Sequence, residues 1–296
     1  MEWQQFVMNL DTLDPAIVEE IFTRHNAWSV TLSDAGNSPV LEPGPGETPL
    51  WAETRITGLF SADADLGKLE AELLQELQLT HLPPYRIDKL ADRAWEREWL
   101  TGFGPMKFGE RLWICPGTSE VEQQDAVIVR LDPGLAFGTG THATTALCLE
   151  WLDGLSLGGK MLLDYGCGSG VLAIAAIRLG CRETAAMDID PQALIATAQN
   201  AERNAVAGRV RVYGSEADIE GVFDVVVANI LAGPLVQFAE SITSTLAGDG
   251  MLALSGVLCE QAASVMAAYE PWIEFDETVC REQDGQTWSR LTGTRR

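Results

Sequence analysis

Three glycines at every second position, in Tyr165-Gly166-Cys167-Gly168-Ser169-Gly170, stand between a short apolar run, Met161 to Tyr165, and a helical run, Val171 to Leu179. A strand, a glycine turn and a helix in that order let the backbone approach a ligand closely. The helix start adds N–H groups and partial positive charge, which suit a carboxylate or phosphate. Twenty-two residues beyond Gly166 lies Asp188, in Ala186-Met187-Asp188-Ile189-Asp190-Pro191. An acidic residue at the end of a second strand can accept hydrogen bonds from both ribose hydroxyls of an adenosine ligand. Asp190-Pro191 has a simpler reading, as the N-cap and first-turn pair of a helix over Gln192 to Asn204. Phe223 to Ala228 is a further buried strand, ending in Asn229-Ile230-Leu231-Ala232. In a doubly wound sheet the carboxyl ends of the strands face the ligand crevice, which sets Asn229 beside Gly166 and Asp188.

The glycine spacing separates two cofactor classes. The dinucleotide fingerprint G-x-G-x-x-G/A calls for a small residue at 171, where Val171 stands. G-x-G-x-G is instead the spacing associated with class I methyltransferases that use S-adenosylmethionine. Adenine and glutamine N-methyltransferases carry an N/D-P-P-Y/F tetrapeptide where this chain has Asn229-Ile230-Leu231-Ala232, which argues against a base amine or a side-chain amide as acceptor. Upstream, Asp132 to Thr145 reads as a flexible polar loop able to fold over a ligand, its threonines near a helix start; Thr144 or Thr145 either serves the ligand or merely caps that helix, and His142 is either a site residue or a surface loop residue.

From Lys160 onward, apolar strands alternate with helices, the texture of a parallel sheet covered on both faces. Residues 1 to 90 read differently. A strand at Trp3 to Met8 is followed by a helix opened by Asp14-Pro15, with Ile17, Val18, Ile21 and Phe22 as its apolar stripe. Then come a strand at Ala27 to Leu32, a loop over Asn37 to Pro49, a strand around Trp51 to Leu59, a helix over Asp65 to Leu77 and a strand at Tyr85 to Leu90. The order βαββαβ is the ferredoxin-like, split βαβ arrangement. The fold class is therefore α/β: a doubly wound, Rossmann-like domain over 131–296, preceded by a smaller ferredoxin-like α+β domain over 1–90. Residues 91–130 connect them, with a helical piece, Ala91 to Leu100, whose Trp95 and Trp99 are expected to pack between the domains.

A chain of 296 residues with 46% hydrophobic and 21% charged residues excludes disordered, collagenous and disulfide-framework classes. Forty-three acidic against 20 basic side chains leave a net charge of −23, a field that repels phosphate backbones and attracts basic partners. No direct nucleic-acid substrate is expected. Six cysteines without a C-x-x-C pair or a Cys/His cluster imply no metal and a reduced, cytoplasmic setting. The N-terminus lacks the features of a signal peptide, and no membrane span is expected.

Taken together, D-P-G-L-A-F-G-T-G-T-H-x-T-T, L-L-D-Y-G-C-G-S-G-V-L-A-I-A-A, M-D-I-D-P-Q-A and V-V-A-N-I-L-A-G-P-L resemble the ribosomal protein L11 methyltransferases, as do Trp95-Glu96-Arg97-Glu98-Trp99 and Phe108 to Pro116. The resemblance covers the whole chain. It implies an S-adenosylmethionine-dependent enzyme that trimethylates lysine ε-amines and an N-terminal α-amine of ribosomal protein L11, free or ribosome-bound. Carried over by position, the cofactor contacts fall on Thr145, Gly166, Asp188 and Asn229. Ala143 stands where the family usually has proline. Of the three histidines, His25, His81 and His142, only the last is near the expected site, and no general base is assigned. A monomer is expected, with residues 1–90 recognising the substrate.

Overall fold

The computed structural model describes residues 3–36, 50–90, 104–117, 119–131 and 142–296. The Asn37 to Pro49 loop, the helical piece with Trp95 and Trp99, and the segment Asp132 to Thr141 lie outside the described residues. The chain divides into two compact units, Met1–Glu98 and Trp99–Arg296.

In the first unit, β1 (Trp3–Asn9), α1 (Pro15–Arg24), β2 (Ser29–Asp34), β3 (Thr54–Ser61), α2 (Leu66–Glu76) and β4 (Tyr85–Leu90) follow in the βαββαβ order that the sequence predicts. The sheet order is β2-β3-β1-β4 with every pairing antiparallel. Asp14 caps α1 by accepting from Ala16 N–H at 2.9 Å, and Pro15 costs nothing at a first-turn position whose N–H has no helical partner. Of the four stripe residues expected on α1, Val18, Ile21 and Phe22 are buried and Ile17 is exposed; with Leu66, Leu69 and Leu73 on α2 they pack against Phe6, Met8, Ile56 and Phe60 of the sheet.

The second unit begins with a three-stranded sheet, β5 (Met106–Phe108), β6 (Leu112–Cys115) and β7 (Val127–Arg130), ordered β5-β6-β7. The stretch read as a connection from sequence thus contributes Phe108, Leu112, Ile114 and Val129 to this unit's core. Next comes α3 (Ala143–Gly154), and then β8 (Met161–Tyr165), α4 (Val171–Arg178), β9 (Glu183–Met187), α5 (Pro191–Arg203), β10 (Val210–Tyr213) and β11 (Phe223–Asn229) in strict alternation. The chain closes with α6 (Ala232–Gln237), α7 (Ala239–Ser244), β12 (Leu246–Leu258), α8 (Ala262–Tyr269), β13 (Ile273–Phe275), β14 (Val279–Gln283) and β15 (Gln286–Arg295).

The main sheet runs β10-β9-β8-β11-β12-β15-β13, with β14 also on the outer side of β15. Strands β8 to β12 pair in parallel, and β15 returns antiparallel to β12. The strand order reverses between β8 and β11, the switch point where such sheets open a crevice at their carboxyl ends. Helix α4 carries an unbroken apolar run because it is buried on every side: Val171 through Ile177 are all buried.

One feature departs from the expectation of reduced thiols throughout, since Cys259 and Cys280 are joined as a disulfide. The two lie 21 residues apart in sequence and become neighbours only when β14 folds back onto β15. The other four cysteines are free and buried.

Candidate functional site

Three strands end level with one another. Tyr165 on β8 is the register partner of Met187 on β9 and of Ala228 on β11, so the next residue of each chain segment, Gly166, Asp188 and Asn229, emerges at the same edge of the sheet. Parallel pairing of buried strands imposes this, because a one-residue slip would turn every apolar side chain to the wrong face. The Gly166 and Cys167 N–H groups donate to Met187 C=O at 2.8 and 2.9 Å, which ties the glycine turn to the neighbouring strand end.

The turn requires its glycines. Gly166 has φ +79° and a Cβ there would run into the Ile230 side chain, while Gly170 has φ +75° and its Cβ would lie 2.7 Å from Thr197 Cγ2. Thr197 in turn holds the loop, its hydroxyl donating to Gly168 C=O at 3.0 Å.

Asp188 is half-buried, and its carboxylate shapes the turn: Oδ2 accepts from Gly168 N–H at 2.9 Å and Oδ1 from Asp190 N–H at 3.0 Å. A carboxylate has about four acceptor positions, so two backbone donors leave room for ligand hydroxyls. Asp190 itself caps α5, accepting from Gln192 N–H at 2.9 Å, which is the role that its pairing with Pro191 predicts.

Thr145 arrives from the other side. It is buried in the first turn of α3, and its Oγ1 accepts from Asn229 Nδ2 at 3.2 Å. The structure therefore brings Asn229 together with Thr145 directly, and Gly166 together with Asp188 through the β9 end and Gly168. The cap of α3 is neither threonine but His142, whose ring accepts from Thr144 N–H at 3.4 Å and shares a 2.8 Å contact between Nδ1 and Thr144 Oγ1. His142 also stands edge-on to Trp288 of β15, ring centroids 4.6 Å apart, and burial lowers its pKa.

Sequence reasoning passed over one residue of this site. Asp164 lies in β8 two positions before Gly166, is fully buried, and accepts from Ala173 N–H at 3.1 Å with Oδ2 while Oδ1 has no hydrogen-bond partner. Burial, first, and then the nearby Asp188 push its carboxyl up to about 7. The signal was present, because a lone carboxylate inside an apolar strand must be paired, neutral or functional. Tyr165, the next residue, donates its hydroxyl to Glu216 Oε2 at 2.8 Å.

The charge of the cradle discriminates between ligands. The segments 142–146, 164–170, 186–190 and 229–234 contain Asp164, Asp188 and Asp190 and no Lys or Arg. A pyrophosphate would meet like charge there, whereas a nucleoside carrying positive charge on sulfur and an ammonium group would be favoured.

Comparison with known proteins gives a consistent picture. The family described as ribosomal protein L11 methyltransferase (PrmA) matches residues 2–296. The ribosomal protein L11 methyltransferase of Mannheimia succiniciproducens is 48% identical over 296 residues, covering 99% of each chain. That of Serratia proteamaculans is 48% identical over 299 residues and covers 100% of both. Among solved structures, ribosomal protein L11 methylase from Lactobacillus delbrueckii subsp. bulgaricus is similar with a TM-score of 0.59 and 32% identity, over 65% of this chain and 99% of that one.

Proposed function

The chain belongs to the ribosomal protein L11 methyltransferase family, and from that premise we propose that it transfers methyl groups from S-adenosylmethionine to lysine ε-amines and the N-terminal α-amine of ribosomal protein L11, up to trimethylation. The observation that carries this reading is the level row Tyr165–Met187–Ala228, which presents Gly166, Asp188 and Asn229 together, with Thr145 on Asn229.

Thr145, Gly166, Asp188 and Asn229 would hold the cofactor. Asp188 offers acceptors for the ribose hydroxyls, and the glycines allow a tight turn that a side chain at 166 or 170 would prevent by striking Ile230 or Thr197. S-adenosylmethionine, when bound, supplies a methyl group made electrophilic by its sulfonium. What the protein must add is position: holding an amine in line is worth about 7 to 11 kcal/mol of the barrier. A lysine amine of pKa about 10.4 is almost wholly protonated at pH 7, so the site must also favour the neutral amine, and exclusion of water does so. With Nδ2 given to Thr145, Asn229 would use its Oδ1, an acceptor, for an N–H of the incoming amine. His142 caps α3, and no general base is assigned.

Residues 1–90 would recognise the ribosomal protein. They hold 15 acidic against five basic side chains and form a unit with its own core. Such a field favours a lysine-bearing partner. We place the enzyme in the cytoplasm, acting as a monomer on L11 free or ribosome-bound. Among the described residues no helix is long and apolar enough to cross a membrane.

The test is incubation with ribosomal subunits and S-adenosylmethionine labelled with tritium on the methyl group. Label confined to ribosomal protein L11 supports the reading. Label in RNA, or in other proteins alone, overturns it.

A further inference from the structure

Four of the six cysteines are protected from exchange chemistry. Cys115, Cys148, Cys167 and Cys181 are buried, and burial pushes their thiols up, that of Cys148 to about 12 and that of Cys181 to about 11. The thiolate is the nucleophile in thiol–disulfide exchange, so these side chains are poor participants. Cys259 and Cys280 are placed differently. Cys280 is exposed on β14, Cys259 is half-buried immediately after β12, and their Cα atoms are 6.5 Å apart, within bridging range.

The pair fastens a particular part of the sheet. Strand β14 is an edge strand held by β15, with Cys280 opposite Ser289, while Cys259 N–H donates to Thr287 C=O at 2.8 Å. The same hairpin forms one wall of the α3 start. Arg281 donates to both carboxylate oxygens of Glu150 on α3 at 3.0 and 2.7 Å, and Trp288 stands against His142, three residues before Thr145. The bridge therefore ties the end of a central strand to the edge hairpin that borders the cradle.

We propose that Cys259 and Cys280 are a reversible thiol–disulfide modification site that takes a low-molecular-weight disulfide such as oxidised glutathione as its oxidant, and that its state governs how firmly the β14–β15 hairpin is held beside the α3 start. In the forward direction the exposed Cys280 thiolate attacks one glutathione sulfur, forming a mixed disulfide and releasing one glutathione thiolate. Cys259, as thiolate, then attacks the Cys280 sulfur and releases the second. Two protein thiols lose two electrons and two protons, and one glutathione disulfide becomes two glutathione thiols. Excess reduced glutathione runs the steps backwards. None of this depends on the identity of the cofactor or the methyl acceptor.

The experiment uses the full-length protein equilibrated in reduced or in oxidised glutathione, trapped with a maleimide and mapped by peptide mass spectrometry, with amide hydrogen exchange followed in parallel. In oxidised buffer the peptides holding Cys259 and Cys280 should be cross-linked and unlabelled, and in reduced buffer both should carry the label. Exchange over residues 279–286 should be several-fold faster in the reduced protein, with residues 161–165 unchanged. Cys280→Ser should exchange like the reduced protein in both buffers. A bridge that survives excess reduced glutathione, two labelled cysteines in oxidised buffer, or equal hairpin exchange in the two states would overturn the proposal.

Discussion

Asn229 and Thr145 meet at the carboxyl edge of the sheet, Asn229 Nδ2 donating to Thr145 Oγ1 at 3.2 Å across 84 residues of sequence. The contact fixes which way the Asn229 amide faces, and through it which atom is left for a ligand.

Thr145→Val keeps the volume of a buried side chain and removes the acceptor. One hydrogen bond contributes about 0.5 to 1.5 kcal/mol, so affinity for S-adenosylmethionine should fall by about two- to tenfold, with the protein still folded. Calorimetric titration checks this, and unchanged affinity would take Thr145 out of the donor site.

Asp164 gives a pH signature. Its folded-state pKa, pushed up by burial to about 7, lies above the unfolded value of about 3.9. The folded chain therefore binds more protons between these values. This stabilising contribution is complete below about pH 4 and is lost as the pH rises towards 7. Asp164→Asn keeps an oxygen for the Ala173 N–H and cannot ionise. Its stability relative to wild type should rise steadily across that window and level off above it. Urea unfolding at a series of pH values measures the difference, and parallel profiles would contradict it.

The division of labour between the two units predicts that a chain beginning at Trp99 binds S-adenosylmethionine with about the affinity of the whole protein yet fails to methylate ribosomal protein L11. Filter binding and a methyl-transfer assay on the two chains decide it. Retained methylation of intact L11 would remove the recognition role from residues 1–90.

Much of this arrangement is legible in sequence because it is local. Asp14-Pro15 and Asp190-Pro191 announce helix starts through a capping carboxylate and a proline within the first turn, and both act as such. The β8–glycine–α4 unit and the apolar β11 are short, contiguous patterns whose level ends follow from parallel pairing. What escaped depends on contacts distant in sequence. Strands β5 to β7 are only three or four residues long, too short to show alternation, and β6 finds its partner β7 across an intervening loop. The helix cap that Thr144 or Thr145 could have supplied comes from His142, because an imidazole nitrogen can accept from Thr144 N–H as a hydroxyl would. The neighbouring placement of Cys259 and Cys280 required the β14–β15 hairpin, which carries no cysteine spacing of its own.

The donor site is tested most directly by titrating S-adenosylmethionine into wild type and into Asp188→Ala in a calorimeter, with circular dichroism to verify folding. Asp188 accepts from the Gly168 and Asp190 N–H groups, and a carboxylate has acceptor positions beyond those two. Wild type should bind S-adenosylmethionine and not NADH, while the folded Asp188→Ala protein should lose most of that affinity. Near wild-type binding by folded Asp188→Ala, or comparable binding of NADH by wild type, would contradict the assignment of this cradle to S-adenosylmethionine.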